Sequence, residues 1–269
     1  MSDDTSEKQL EAFQYALGQN LVGIVGKGDD GVFGRQIGTG TLVDIDGNPF
    51  ILTAAHVVAN CALNELRFFL PSPGGRIVEQ GDRVKIDPSF VILREPLELD
   101  LIRKDDNLDV AILRLSGSAV IRPFWSFRQI RRLPMPTPQP VHYVTMGFPG
   151  QRAVPFLGPD LMVLPNIDYL EVIDPGSRAF RDFDPKTHFL TDFPSAEKFH
   201  PGGYSGGGLW GHAKGDGNIW HPIPEYFGMV TGYYERIQAL KILSVNTILD
   251  FIDINRSLGS LGVTYNRAL

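Results

Sequence analysis

Three segments of the 269-residue chain carry side chains that could do chemistry together. They are Thr53-Ala54-Ala55-His56, Leu108-Asp109-Val110-Ala111-Ile112-Leu113 and Gly202-Gly203-Tyr204-Ser205-Gly206-Gly207-Gly208. A histidine, an aspartate and a serine are the set that nucleophilic acyl transfer requires. A serine hydroxyl is a poor nucleophile at neutral pH, so an imidazole must take its proton, and a carboxylate then fixes the imidazole tautomer and stabilises its cation. The glycines around Ser205 answer a different need. A developing oxyanion requires convergent backbone N–H donors, and residues without Cβ let the chain turn tightly and let substrate approach. The N–H groups of Gly203 and Ser205 are the candidate donors. Taken singly, each segment has a plainer reading as a structural histidine, a turn-capping aspartate or a Gly-rich loop. Their joint occurrence points to chemistry.

The elements that must position these residues read mostly as strands. Twenty-nine glycines and 20 prolines are spread along the chain, and the apolar runs between them are short and rich in Val, Ile, Leu, Phe and Thr. Strands are predicted at Leu21 to Val25, Thr39 to Val43, Phe50 to Ala54, Val84 to Ile86, Val110 to Leu115, Val141 to Met146 and Met229 to Tyr233. The Asp46-Gly47 step between the second and third of these favours a hairpin turn. Helical spacing appears near both ends, over 6–17 behind Thr5/Ser6 and over 246–256 behind Asn246/Thr247. Between Leu133 and Pro140, proline at every second position imposes an extended path and reads as a linker. The expected organisation is mainly β: an N-terminal helix (1–18), a first six-stranded antiparallel barrel (19–132), the linker (133–140), a second such barrel (141–246), and a C-terminal helix and tail (247–269).

Composition narrows the function classes. With 43% hydrophobic residues the chain can build a core. Its net charge of −6 and pI near 5.5 disfavour nucleic acid and anionic membranes, which need a basic footprint. A single cysteine, Cys61, forbids an intrachain disulfide. The six histidines (His56, His142, His188, His200, His212, His221) show no metal-ligand spacing, so neither a metal nor another cofactor is expected. The start MSDDTSEKQ lacks the basic and apolar regions of a secretory signal, and no run reaches the ~20 apolar residues that span a bilayer. A cytoplasmic location is the expectation.

Several segments resemble the signature segments of the trypsin-like serine proteases, the chymotrypsin fold. They are Gly38-Thr39-Gly40-Thr41-Leu42, Phe50-Ile51-Leu52-Thr53-Ala54-Ala55-His56, Leu108-Asp109-Val110-Ala111-Ile112-Leu113 and Gly203-Tyr204-Ser205-Gly206-Gly207. Val144-Thr145-Met146-Gly147-Phe148-Pro149 and Phe227-Gly228-Met229-Val230-Thr231-Gly232 are similar to strands of the family's second barrel. The resemblance runs from about residue 20 to 256 and implies two β-barrels with the active site in their cleft. It implies His56 as general base and acid, Asp109 as its orienter, Ser205 as nucleophile and Gly203 as an oxyanion donor. The wall for the residue before the cut would be Phe199 and His200 on one side and Thr231, Gly232 and Tyr233 on the other, with protein or peptide as substrate.

The departures are informative. Secreted digestive members activate when a freed N-terminus pairs with an aspartate immediately before the serine; that position here is Tyr204. The lack of disulfides looks closer to the bacterial intracellular HtrA-type proteases, and their trailing PDZ domain is not expected here. A protease without that switch would need control by a narrow recognition surface, an ordering signal for the nucleophile loop, or a regulatory protein partner. Phe199 supplies no acid at the pocket base and Tyr233 stands where a glycine commonly leaves the pocket open, so a small or apolar residue before the scissile bond is expected. Residues 60–105 and 151–200 read as long insertions, and Arg128, Arg131 and Arg132 as a small basic cluster.

Three other readings compete. Gly203-Tyr204-Ser205-Gly206-Gly207 matches the G-x-S-x-G elbow of α/β-hydrolase esterases, but no helix start follows it. Gly26-Lys27-Gly28-Asp29-Asp30-Gly31 matches G-x-G-x-x-G, yet its two aspartates would repel a phosphate, so a hairpin turn is expected. A protease-like scaffold that binds without cleaving is the alternative from another class.

Overall fold

The computed structural model describes residues 16–27, 33–59, 62–71, 76–80, 83–87, 90–92, 99–115, 128–135, 143–149, 153–155, 161–163, 165–176, 180, 182–211 and 224–257. The expected N-terminal helix lies outside these residues except for its last turn at 16–18. The end of the linker, Cys61, His142, His212, His221 and the C-terminal tail also lie outside them.

Two antiparallel sheets dominate. The first half contributes β1 (Leu21–Lys27), β2 (Phe33–Ile45), β3 (Asn48–Thr53), β4 (Arg67–Pro71), β5 (Arg76–Gln80), β6 (Arg83–Asp87), β7 (Phe90–Ile92), β8 (Leu99–Asp105), β9 (Val110–Leu115) and β10 (Arg128–Gln129). The second contributes β11 (Tyr143–Gly147), β12 (Ala153–Pro155), β13 (Leu161–Val163), β14 (Asn166–Leu170), β15 (Val172–Ile173), β16 (His188–Asp192), β17 (Gly208–Gly211), β18 (Glu225–Tyr234) and β19 (Ala239–Ser244). One sheet runs β7-β4-β1-β2-β3-β9-β8, with β10 added parallel to β2; the other runs β14-β11-β17-β18-β19-β16-β15. Among the described residues the sheets hold eight and seven strands rather than six each. The regions 60–105 and 151–200, expected as insertions, contribute β4, β7 and β8 to the first sheet and β14, β15 and β16 to the second, while β5–β6 and β12–β13 pair apart from both.

Local chemistry accounts for the turns. Asp46 (φ 55°) and Gly47 (φ 79°) both take positive φ between Ile45 and its partner Asn48, a two-residue turn whose twist suits paired strands. β1 and β2 pair antiparallel from Leu21↔Thr41 to Lys27↔Phe33, while residues 28–31 of the G-x-G-x-x-G match, expected as a hairpin turn, lie outside the described residues. Buried residues of both sheets form one continuous core, in which Leu52, Val110 and Ile112 of the first join Met146, Leu209, Met229 and Leu243 of the second. A smaller cluster, including Val22, Ile24, Leu42, Ile51 and Val57, fills the first sheet alone.

Two helices matter here. The five-residue α1 (Ala55–Ala59) follows β3, and α2 (Val245–Ser257) closes the described chain. Ser244 caps α2, its Oγ accepting the Thr247 N–H at 3.2 Å, in place of the expected Asn246/Thr247. The Asn246 amide is engaged elsewhere: it accepts from the Leu133 N–H (3.1 Å) and donates to the Leu133 carbonyl (2.7 Å), docking the start of the linker on the helix. Of the basic cluster, Arg131 is paired to Glu225, and Arg132 to Asp250 (2.7 Å) and Asp253 (2.9 Å). Among the described residues no helix is long and apolar enough to cross a membrane.

Candidate active site

His56 and Asp109 meet because their strands are neighbours. β3 pairs with β9 with Thr53 opposite Ala111, so the residue just after β3's end and the one just before β9's start lie together. In α1, Ala55, Val57 and Val58 are buried, which turns His56 outward. Asp109 closes a tight turn in which Asp105 Oδ1 accepts the N–H groups of Asn107 (2.8 Å) and Leu108 (3.0 Å). Its own backbone takes φ 58°, a left-handed conformation that aspartate tolerates better than most residues. The carboxylate grips His56 twice: Oδ1 accepts the His56 N–H at 3.0 Å and Oδ2 lies 2.8 Å from Nδ1. A carboxylate can only accept, so Nδ1 carries the proton and Nε2 is left as an acceptor. The imidazole side chain is 52% exposed and the carboxylate 17%, so Nε2 can be reached from solvent.

Ser205 arrives by a different route, through its backbone. The Thr39 N–H donates to the Ser205 carbonyl (2.8 Å), the Gly206 N–H to Val230 O (2.8 Å) and the Val230 N–H to Gly207 O (2.9 Å). Thr39 Oγ1 donates to the Gly203 carbonyl and accepts the Phe148 N–H (3.2 Å), while Thr53 Oγ1 donates to Thr39 O (2.7 Å). The Ser205 turn is thus tied to the strand end from which His56 departs. Only glycine fits next to the serine: Gly206 sits at φ 89°, and a Cβ there would stand 1.9 Å from Thr39 O and 2.4 Å from Thr53 Oγ1. Among the described residues the N–H groups of Gly203 and Ser205 donate to no protein acceptor, and no hydrogen bond joins the Ser205 hydroxyl to the imidazole.

The expected substrate wall is assembled on β18 and the segment before the serine. Thr231 is buried at a bulge in the β18–β19 register, and Gly232 and Tyr233 pair with Lys241 and Leu240. Phe199 is buried against Phe193 (5.8 Å) and Tyr204 (6.4 Å), and Tyr233 meets Phe193 (5.9 Å) and His200 (5.5 Å) edge-on.

Sequence reasoning missed two sets of residues. Thr39 and Thr53, which clamp the turn, lie within quoted motifs but carry no chemical signal of their own. Buried Asp168 and Tyr204 form a hydrogen-bonded group with the half-buried Asn166 and Ser195. Its sequence signal is a carboxylate on the same strand face as buried Leu170, flanked by exposed Tyr169. The group does not form a second triad with the buried His188, whose Nδ1 meets Thr187 Oγ1 (2.8 Å) and whose Nε2 has no partner among the described residues.

Comparison with known proteins places the architecture. A scan of protein-family models and a search of curated proteins return no match. Solved structures do match. The crystal structure of the serine endoprotease from Yersinia pestis is similar over 92% of this chain and 67% of that one, at 14% identity and a TM-score of 0.53. The inactive form of the Rv3671c protease covers 92% and 94%, at 16% identity and a TM-score of 0.49. The fold is that of the trypsin-like serine proteases. The strand that follows the serine, β17 from Gly208, excludes the hydrolase elbow, which needs a helix there.

Proposed function

We propose that this protein is a serine endopeptidase that cleaves protein substrates through an acyl-enzyme, with His56, Asp109 and Ser205 as its triad. The observation that carries the reading is the two-point grip of Asp109 on His56, held beside a turn that offers the Gly203 and Ser205 N–H groups. Ser205 Oγ attacks the substrate carbonyl carbon while His56 Nε2 takes its proton. The carbonyl oxygen becomes an oxyanion stabilised by the two N–H donors. The imidazolium, steadied by Asp109, gives its proton to the leaving amine as the C–N bond breaks. A water then repeats the cycle, its proton passing through Nε2 to Ser205 as the acyl group departs as an acid. The packing of Phe199 and Tyr233 supports a small or apolar residue before the scissile bond, and the absence of an acid at position 199 argues against Lys or Arg there.

Fluorophosphonate labelling of the purified chain tests the reading. Ser205 is expected to be modified, Ser205→Ala to be inert and His56→Ala to label far more slowly. The unlinked Ser205 hydroxyl favours a second reading, a scaffold that binds without cleaving; absence of labelling in the native chain would establish it. A peptide-library profile dominated by cuts after basic residues would refute the pocket assignment.

A further inference from the structure

We propose that the buried phenol of Tyr204, tied to Asp168, is the positioning group that holds the nucleophile turn in its oxyanion-binding shape; the inference rests on the peptidase reading above. Tyr204 lies between Gly203 and Ser205, the two candidate oxyanion donors, so the depth at which its ring seats sets where both N–H groups point. The ring is fully buried. Phe193 meets it edge-on at 5.5 Å, Phe199 stacks at 6.4 Å, and Gly147 lies so close that a Cβ there would stand 2.7 Å from a ring carbon. These contacts fix the plane of the ring but are non-directional along its long axis.

The hydroxyl closes that last direction. Tyr204 OH donates to Asp168 Oδ2 and accepts from Asn166 Nδ2 at 2.8 Å. Asp168 is itself 5% exposed and also accepts from Asn166 Nδ2 (2.8 Å) and Ser195 Oγ. Ser195 belongs to the short turn Pro194–Glu197, and its carbonyl accepts the N–H groups of Lys198 (2.8 Å) and Phe199 (3.1 Å). One carboxylate on β14 therefore ties the nucleophile turn to the segment leading into the substrate wall. The backbone completes the frame: the Tyr204 N–H donates to Pro201 O (2.9 Å) and the Gly207 N–H to Tyr204 O (2.8 Å). Where the digestive members of the resembling family need a freed N-terminus at this position, the side chains of the fold supply the tie, so the turn takes its shape on folding. A phenylalanine would fill the same box while releasing the depth of the ring, and misplacement of about 1 Å at a reacting centre costs about 10²-fold.

The test uses Tyr204→Phe and Asp168→Asn in the full chain. Asparagine is the matching change because an amide cannot accept all three donors that converge on the carboxylate. Tyr204→Phe is expected to lower kcat by about 10- to 100-fold with KM within about threefold, because the lost interaction serves the transition state. Hydrogen exchange across residues 201–207 should rise about tenfold while that of β18 and β19 stays unchanged. Asp168→Asn should act likewise, and the double variant should be no worse than the worse single, since both break one contact. A Tyr204→Phe chain that melts earlier but keeps kcat within twofold, or unchanged exchange across 201–207, would overturn the proposal. If the native chain takes no fluorophosphonate, the peptidase reading fails, while the exchange comparison still decides whether the tie orders the turn.

Discussion

The first sheet brings His56 and Asp109 together at the ends of adjacent strands, where the β3–β9 register sets them side by side. The second sheet presents Ser205 on a turn between short elements. That turn needs threonine clamps from β2 and β3, a glycine at φ 89°, and a buried aromatic and polar support beneath Tyr204. The histidine pair is open to water, with the imidazole 52% exposed, whereas Tyr204 is completely enclosed. Paired strands can display a catalytic group with little surrounding structure, because ladder hydrogen bonds fix their ends. A turn has no ladder, so its geometry must be imposed by packing from behind.

The comparison can be broken most forcefully on the first side. Asp109→Asn should lower kcat by about 10⁴-fold by favouring the wrong imidazole tautomer, with the fold unchanged. A loss under tenfold would mean that another carboxylate, such as Asp100 or Asp106, orients the ring. On the second side, Gly206→Ala should cost about 2–4 kcal/mol in urea unfolding through positive φ and the clash with Thr39 O. It should also abolish labelling while the NMR signature of the His56–Asp109 hydrogen bond persists. Simultaneous loss of both would show that the two sides are not independently built.

The smallest effect lies in the second sheet. Burial pushes the His188 imidazole down from its ordinary 6.5 to about 4, assisted by the Lys241 charge and opposed by Asp184 and Asp109. Because the folded value is depressed, the unfolded chain binds the extra proton. Stability is therefore full above pH 6.5 and declines as the pH falls towards 4. The loss should be on the order of 2 kcal/mol. Denaturation of the native chain and His188→Gln at pH 7 and pH 4.5 checks this. Parallel losses in the two would dismiss the histidine as the cause.

Legibility followed the range of the interactions. The Asp46-Gly47 hairpin, the β3 and β9 runs and the span of α2 were readable because each depends on neighbours within a few residues. The strands within 60–105 and 151–200 were not, since β4 pairs with β1 and β16 with β19 across long stretches of chain. Asn246 looked like a helix cap from its local context, yet its partner is Leu133 on the far side of the second sheet in sequence.

The amino-acid sequence by itself determined which chemical groups are present, the order in which they occur and the β-rich rhythm that carries them, because residue type and short-range periodicity are local properties. Tertiary structure alone decided that Asp109 grips both the backbone and the ring of His56, and that Asp168 and Ser195 sit behind Tyr204. Hydrogen bonds between residues far apart in the chain depend on strand order and register, and these are settled only when the two sheets close on their shared core.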